Sequence, residues 1–267
     1  MVTAIRAPAA AAPAPPPALP GPTYADLADF ADAAPLVLHV AVRKQAVVEP
    51  QRAGNVGAGQ ARLYVEARIV ALLVGTAPLG QDVRFLMDWP LDTRGKVPSL
   101  KKTPLLVFAR SVPARPGELQ LLAPDAREPW DAPTEARLRG ILAELRAPGA
   151  PGRIAAVRDA MYVPGTLSGE GETQITLATA AGPPASISVT RQPGQAPNWA
   201  VSFGEVFDNG GKPPAADTLT WYRLACALPP RLPPEANLSA GPADRAQAAA
   251  DYRMVIESLG PCRRSHR

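Results

Sequence analysis

Cys226 and Cys262 are the two cysteines of this 267-residue chain. They have no CxxC spacing and no neighbouring base, so redox or nucleophilic work is a poor fit for them. A lone pair in an otherwise cysteine-free chain favours one structural disulfide in an oxidising compartment, with two buried reduced thiols in the cytosol as the other reading. Such a cross-link would constrain the unfolded chain by about 4 kcal/mol. The two histidines, His39 and His266, are too few for a zinc site that needs three or four convergent ligands. His266 lies in a basic tail with Arg263, Arg264 and Arg267 that is expected to fray. His39 falls mid-strand, opposite the apolar side. As a general base it would need a nucleophile and an orienting acid, and no GxSxG elbow is present, so it reads as a surface or interface histidine. Gly54, Gly57 and Gly59 mimic a phosphate loop, but a strand follows them and no GK[ST] appears, so they read as a flexible connection. Glu170 and Glu172 sit two apart on a glycine-rich turn, short of the six or more oxygens that calcium takes, and read as an exposed turn. The Asn237-Leu238-Ser239 sequon is a three-residue match and carries no weight by itself. No catalytic residue, no cofactor-binding residue and no metal ligand is identified.

The elements that would position such groups are short. Thirty-three prolines rule against long uninterrupted helices, although 46% of the residues are hydrophobic. The net charge of +4 is carried mostly by arginine interleaved with acids, which reflects an Ala/Pro/Arg-rich composition more than a nucleic-acid surface. No run of eighteen apolar residues exists, so no membrane span is expected. Residues 1–22 are Ala/Pro-rich and are expected to be a disordered leader. They contain no apolar signal core, which leaves a misplaced start or a linker on a cytosolic protein.

Thr23 to Ala33 predicts a capped amphipathic helix ended by Pro35. From Leu36 the period changes to two. Leu36/Leu38/Val40/Val42, Leu63/Val65/Ala67/Ile69 and Val83/Phe85/Met87/Trp89 predict half-buried strands with one wet face. Leu105–Ala109 predicts a central strand, and Glu118–Leu122 a fifth after the Pro116-Gly117 turn; together they suggest a small closed or partly closed barrel. Asp131 to Leu145 predicts a helix with Leu138, Ile141, Leu142 and Leu145 as its stripe, placed to plug the barrel or bridge to the second half of the chain. A second β run starts near Ile154 and includes Ile175/Leu177, Ile187/Val189 and Trp199/Val201/Phe203, an antiparallel meander. Two helices close the chain, 217–228 capped by Asp217 and 242–259 opened by Pro242 and ended by Gly260-Pro261.

The succession APLVLHVAVRKQAVV, RLYVEARIVALLVG, DVRFLMD and PLLVFAR resembles bacterial exported domains with an OB-like barrel, related to netrin and metalloprotease-inhibitor (TIMP-type) modules. In those, a long second strand ends in an LxG turn and a later strand carries an apolar LLF run. The resemblance covers about residues 35–123 and lacks the N-terminal Cys of netrin-type modules, so it does not extend to inhibition. The whole chain also resembles uncharacterised exported proteins of alphaproteobacteria, which implies no activity. An OB-like barrel raises single-stranded nucleic acid as a ligand. Its outward face would carry Tyr64, Glu66, Arg68, Arg84, Leu86 and Asp88, thin in stacking and in charge, so nucleic acid is disfavoured.

The fold expected is therefore α+β: an N-terminal OB-like five-stranded β-barrel with a short helix (23–128), then a linking helix, an antiparallel β-meander and two C-terminal helices (129–267). The function expected is a non-enzymatic exported binding or structural module, periplasmic or secreted, whose partner is a protein or an envelope component. Its disulfide would be Cys226–Cys262 and it would have no cofactor. The alternatives are an enzyme using carboxylate and arginine chemistry, a single-strand nucleic-acid binder, and a cytoplasmic location.

Overall fold

The structure, a computed structural model, describes residues 21–76, 79–204 and 211–265. Most of the stretch expected to be a disordered leader, residues 1–20, lies outside the described residues, as do His266 and Arg267. The described residues form an α+β fold, with two antiparallel sheets and five α-helices. Helix α1 (Tyr24–Ala33) starts in a capping box: Thr23 Oγ1 accepts the Asp26 N–H, and the Asp26 carboxylate accepts the Thr23 N–H at 2.9 Å. Leu27 is fully buried, and Phe30 stacks on Phe108 with ring centroids 5.1 Å apart.

The first sheet holds β1 (Leu36–Val47), β2 (Gln60–Val74), β3 (Asp82–Pro90), β4 (Pro104–Ser111), β5 (Leu119–Leu121) and β6 (Arg127–Pro129), with the four-residue helix α2 (Pro50–Ala53) between β1 and β2. Its order is β3-β2-β1-β4-β5, with β6 also paired to β4. Leu63, Val65 and Ala67 on β2 and Val83, Phe85 and Met87 on β3 form the inner face, and Leu105–Ala109 is buried throughout, as its apolar run requires. The sheet is not closed into the expected barrel. β3 and β5 are its two ends, and a single parallel bridge, Arg84 to Glu118, is all the pairing between them. The reason lies in chain length. The Arg84 N–H donates to Gly117 O and the Asp88 N–H to Pro124 O, both at 2.8 Å, so β3 advances from 84 to 88 while the facing chain advances from 117 to 124. Segments of such unequal length cannot keep the regular spacing of a ladder, and the longer one bows away.

β2 ends at Gly75, which adopts φ +116°. A Cβ there would lie 2.3 Å from Leu36 Cδ2 and 3.0 Å from the Pro35 carbonyl. Gly75→Ala is expected to destabilise the fold by about 1–3 kcal/mol, through left-handed strain and overpacking, as read by urea denaturation. A neutral result would mean that the β2 end and the start of β1 are not packed as described.

Helix α3 (Ala132–Arg146) is capped by Asp131, which accepts the Thr134 N–H at 2.6 Å, and packs beside α1 and α4. The second sheet is a meander of β7 (Ile154–Pro164), β8 (Gly171–Thr179), β9 (Ala185–Arg191) and β10 (Asn198–Ser202) in the order β10-β9-β8-β7. Helix α4 spans Leu219–Ala225, shorter than the 217–228 expected, and its cap is Thr218 rather than Asp217. Thr218 Oγ1 accepts the Trp221 N–H, whereas Asp217 has φ +57°, a left-handed conformation outside the extended geometry of an N-cap. Helix α5 spans Pro242–Leu259, as the proline and glycine signals imply. One continuous apolar core runs from the first sheet through α1, α3 and α4 to the second sheet and α5.

Three polar fastenings and one cysteine pair hold the layers. Asp32 on α1 accepts Nη1 and Nη2 of the buried Arg223 on α4, at 2.5 and 3.0 Å, and Nε of Arg153 at 2.5 Å. Asp251 on α5 is fully buried against β8 and β9. The sulfurs of Cys226, at the end of α4, and Cys262, just past α5, lie 2.04 Å apart, at disulfide distance. Beyond Cys262 the tail returns to α1. Asp26 accepts the Ser265 N–H at 2.8 Å and its hydroxyl at 2.7 Å, and Arg264 pairs with Asp29. Burial pushes the Asp26 pKa up, but the hydrogen bonds from Ser265 and Thr23 together outweigh it and bring the pKa down to about 2. A lowered carboxylate pKa stabilises the fold fully above its unfolded value near 4 and is lost as pH falls towards 2. Acid titration of wild type is therefore expected to weaken the fold across that window, and Ser265→Ala to flatten the change. Identical acid profiles for the two proteins would show that the Ser265 hydroxyl contributes nothing to holding Asp26 ionised.

Candidate functional site

The bow between β3 and β5 leaves a slit of about 530 Å³, within the range of small-molecule sites. Its β2–β3 wall follows from strand register. Arg62 faces Asp88, Tyr64 faces Leu86 and Glu66 faces Arg84 across the pair, all on the outer side of the sheet. Its opposite wall comes from the bowed segment, with Leu121, Leu122 and Ala123, and from Val112 at the end of β4. Tyr64 and Leu86 are 38% and 48% exposed, large for apolar groups meeting directly across two strands. Beyond Asp88 the end of β3 is pinned to the start of β6 by the Arg127 guanidinium, which stacks on Trp89 with Cζ 3.7 Å from the ring centroid.

The charges of the slit are unevenly committed. Arg62 holds Asp88 through Nε at 2.8 Å and Nη2 at 2.9 Å, and also reaches the carbonyls of Ala53 and Asn55. The Asp88 carboxylate raises the Arg62 pKa further, so this pair is a fixed ionic strut. Arg115 pairs with Glu118 at 3.3 Å, and Glu66 with Lys44 at 3.4 Å. Arg84 is exposed, and its guanidinium has no hydrogen bond or ion pair among the described residues. One uncompensated positive charge therefore stands beside an exposed Tyr–Leu pair.

The outward residues expected from the strand pattern, Tyr64, Glu66, Arg68, Arg84, Leu86 and Asp88, do share one face. Asp88 is not a solvated acid there but a 6% exposed partner of Arg62. Arg68 lies away from the slit and pairs with Asp82 at 3.6 Å. Sequence reasoning missed Arg62, Arg115 and the whole opposite wall, since β3 and the 117–124 segment meet only in three dimensions.

The other groups singled out by type are structural. His39 is not a surface histidine. It is 7% exposed, stacked on Trp130 with centroids 4.4 Å apart, and its Nδ1 lies 3.3 Å from Glu135 Oε2. Helix α3 carries Glu135 over β1, so the early part of that strand is buried on both faces instead of having one wet face. Burial holds the imidazole below its usual pKa although Glu135 pulls it upward. The Trp130 indole N–H and Arg139 also donate to Glu135, leaving that carboxylate fully engaged. Glu170 closes the turn after β7 by accepting the Thr166 and Leu167 N–H groups, each at 3.1 Å. Glu172 takes the Ser188 hydroxyl at 2.6 Å. Gly54 turns the chain after α2. Ser239 of the sequon is fully buried and bonds the Tyr162 N–H.

A second cavity, of about 310 Å³, lies beside Cys226 and is lined by Asp29, Asp32, Arg153, Tyr222, Arg223 and Arg264. It has the carboxylates and arginines that an enzyme without histidine would need, but both carboxylates are held by arginine and neither is free to act as acid or base. Asp32 is held by Arg153 and Arg223, and Asp29 by Arg264 and the Tyr222 hydroxyl at 2.6 Å. No group of three or more His, Cys, Asp or Glu side chains suited to a metal ion converges among the described residues. No protein-family model matches the chain, and comparison with curated proteins finds no match.

Proposed function

We propose that the chain is a non-catalytic binding module of an oxidising, extracytoplasmic compartment, and that it holds its ligand in the slit between β3 and the 117–124 segment. One observation carries the reading: the uncommitted Arg84 stands beside the exposed Tyr64–Leu86 pair over a slit of about 530 Å³. Exposed apolar surface next to an unused charge lowers its free energy by being covered, and a concave site covers a small ligand on several sides. The disulfide-distance cysteines support the compartment. Among the described residues no helix is long and apolar enough to cross a membrane. The slit brings together an aromatic ring, arginines and aliphatic walls without a free base or nucleophile beside them, which suits recognition better than turnover.

The test is a thermal-shift screen of a chemically mixed fragment set against wild type and Leu86→Glu. Hits are expected to raise the melting temperature of wild type, by about 5–10 °C near a hundredfold excess over Kd. They are expected to leave the variant, whose added carboxylate occupies the slit mouth on the same strand face as Arg84, unmoved. A screen without hits, or hits indifferent to the substitution, would defeat the proposal.

A further inference from the structure

Resting on that reading, we infer that the slit takes a singly charged amphipathic anion, an acid with an aliphatic tail, whose head lies on Arg84 and whose tail lies between Leu86 and Leu122. The charge follows from the pairing at the site. Arg62 is cancelled by Asp88, Arg115 by Glu118, and Glu66 by Lys44, which leaves Arg84 as the one cation of the slit without a partner among the described residues. A dianion would have to draw Arg115 away from Glu118, and a cation would meet Arg84 with nothing to offset it. Nucleic acid, with a charge at every phosphate, would need a row of free cations where one stands.

The tail follows from the walls. Leu86 is 48% exposed, Leu122 and Val112 face the same space from the other side, and Ala123 and Pro124 continue that wall. These are aliphatic surfaces with few polar side-chain atoms, and they lie beside the Tyr64 ring. The slit is also pinned at both ends by the Arg84–Gly117 and Asp88–Pro124 hydrogen bonds. An added β-strand would need both edges to part, whereas a single acyl chain needs only the space present.

Isothermal titration calorimetry on the oxidised full chain tests this with three probes of equal tail, dodecanoate and dodecyltrimethylammonium below their micelle concentrations and dodecanol below its aqueous solubility. Dodecanoate is expected to bind once per chain, dodecanol about tenfold more weakly or worse, and the cation not at all. The preference for the acid is expected to shrink as salt rises. Arg84→Gln is expected to bring dodecanoate down to the affinity of dodecanol. Leu86→Glu is expected to abolish both, with melting temperatures confirming that each variant is folded. A lysophosphatidylglycerol of equal tail, singly negative like dodecanoate and run alongside it, separates a free acid from a lipid headgroup as the source of the anion. Equal affinity for acid and alcohol on wild type, or dodecanoate binding that survives Arg84→Gln, would overturn the head-group assignment. If no amphipath binds while the fragment hits still depend on Leu86, the inference fails and the binding-module reading stands. If neither is seen, both fail.

Discussion

Asp251→Ala is expected to cost about 3–5 kcal/mol of folding stability, the largest effect foreseen for any single substitution in this chain. The carboxylate is fully buried. It accepts the Thr173 hydroxyl of β8 at 2.5 Å, Nε of Arg191 at the end of β9 at 2.7 Å together with a second Arg191 nitrogen, and the Gln247 amide one turn earlier on α5 at 3.0 Å. Its removal would leave a fully buried threonine and the guanidinium of an arginine side chain that is only 27% exposed without their acceptor. The loss would exceed the net worth of the pair, because the desolvation of both partners is no longer offset. Asp251→Asn retains an acceptor for Thr173 but not the charge for Arg191, so it is expected to fall between alanine and wild type. Urea denaturation at constant m-value measures both. A loss under about 1 kcal/mol for alanine would mean that α5 is not fastened to the second sheet through this group.

The second large effect belongs to sulfur. Replacing Cys226 and Cys262 together by serine is expected to destabilise the protein by about 4 kcal/mol, from the entropy that a cross-link between residues 36 apart removes from the unfolded chain. Both cysteines also pack against the core, so the serine hydroxyls add to the loss. The bond joins the C-terminal end of α4 to the segment after α5, from which residues 263–265 return to α1. The double variant is therefore expected to lose protection from hydrogen exchange first in the tail and then in α1. Intact mass of the untreated wild-type protein, exported to the periplasm, should show no thiol open to alkylation. Two reactive thiols there would remove the case for an oxidising compartment.

Local geometry was legible in the sequence. The alternation of Leu63/Val65/Ala67 and Val83/Phe85/Met87 identifies inner faces, and all six side chains are buried. The run Leu105–Ala109 identifies a strand covered on both sides, and Pro242 and Gly260 bracket α5. These signals are carried by neighbours in the chain. The misses share a cause of the opposite kind. His39 looked exposed because alternation assigns faces but does not say what lies across them, and α3, about a hundred residues later, covers that face. The barrel failed to close because a segment of one length meets β3 over another, a mismatch that no periodicity records. Helix α2 and strand β6 are too short to leave a period at all. Half of the slit was legible, as the Tyr64–Leu86 face; Arg62 and the wall from Leu121 to Pro124 were not, since they depend on register and on that mismatch.

Where ligands touch the chain decides whether this protein is a binding module of the kind proposed. Amide chemical-shift mapping of the isotope-labelled protein, titrated with the screening hits, reads this directly. Binding in the slit should move one contiguous set of resonances, in residues 84–88 and 117–124 and in Tyr64 across from Leu86. Shifts gathered instead around Asp32, Arg153 and Arg223, or scattered over both sheets, would contradict it.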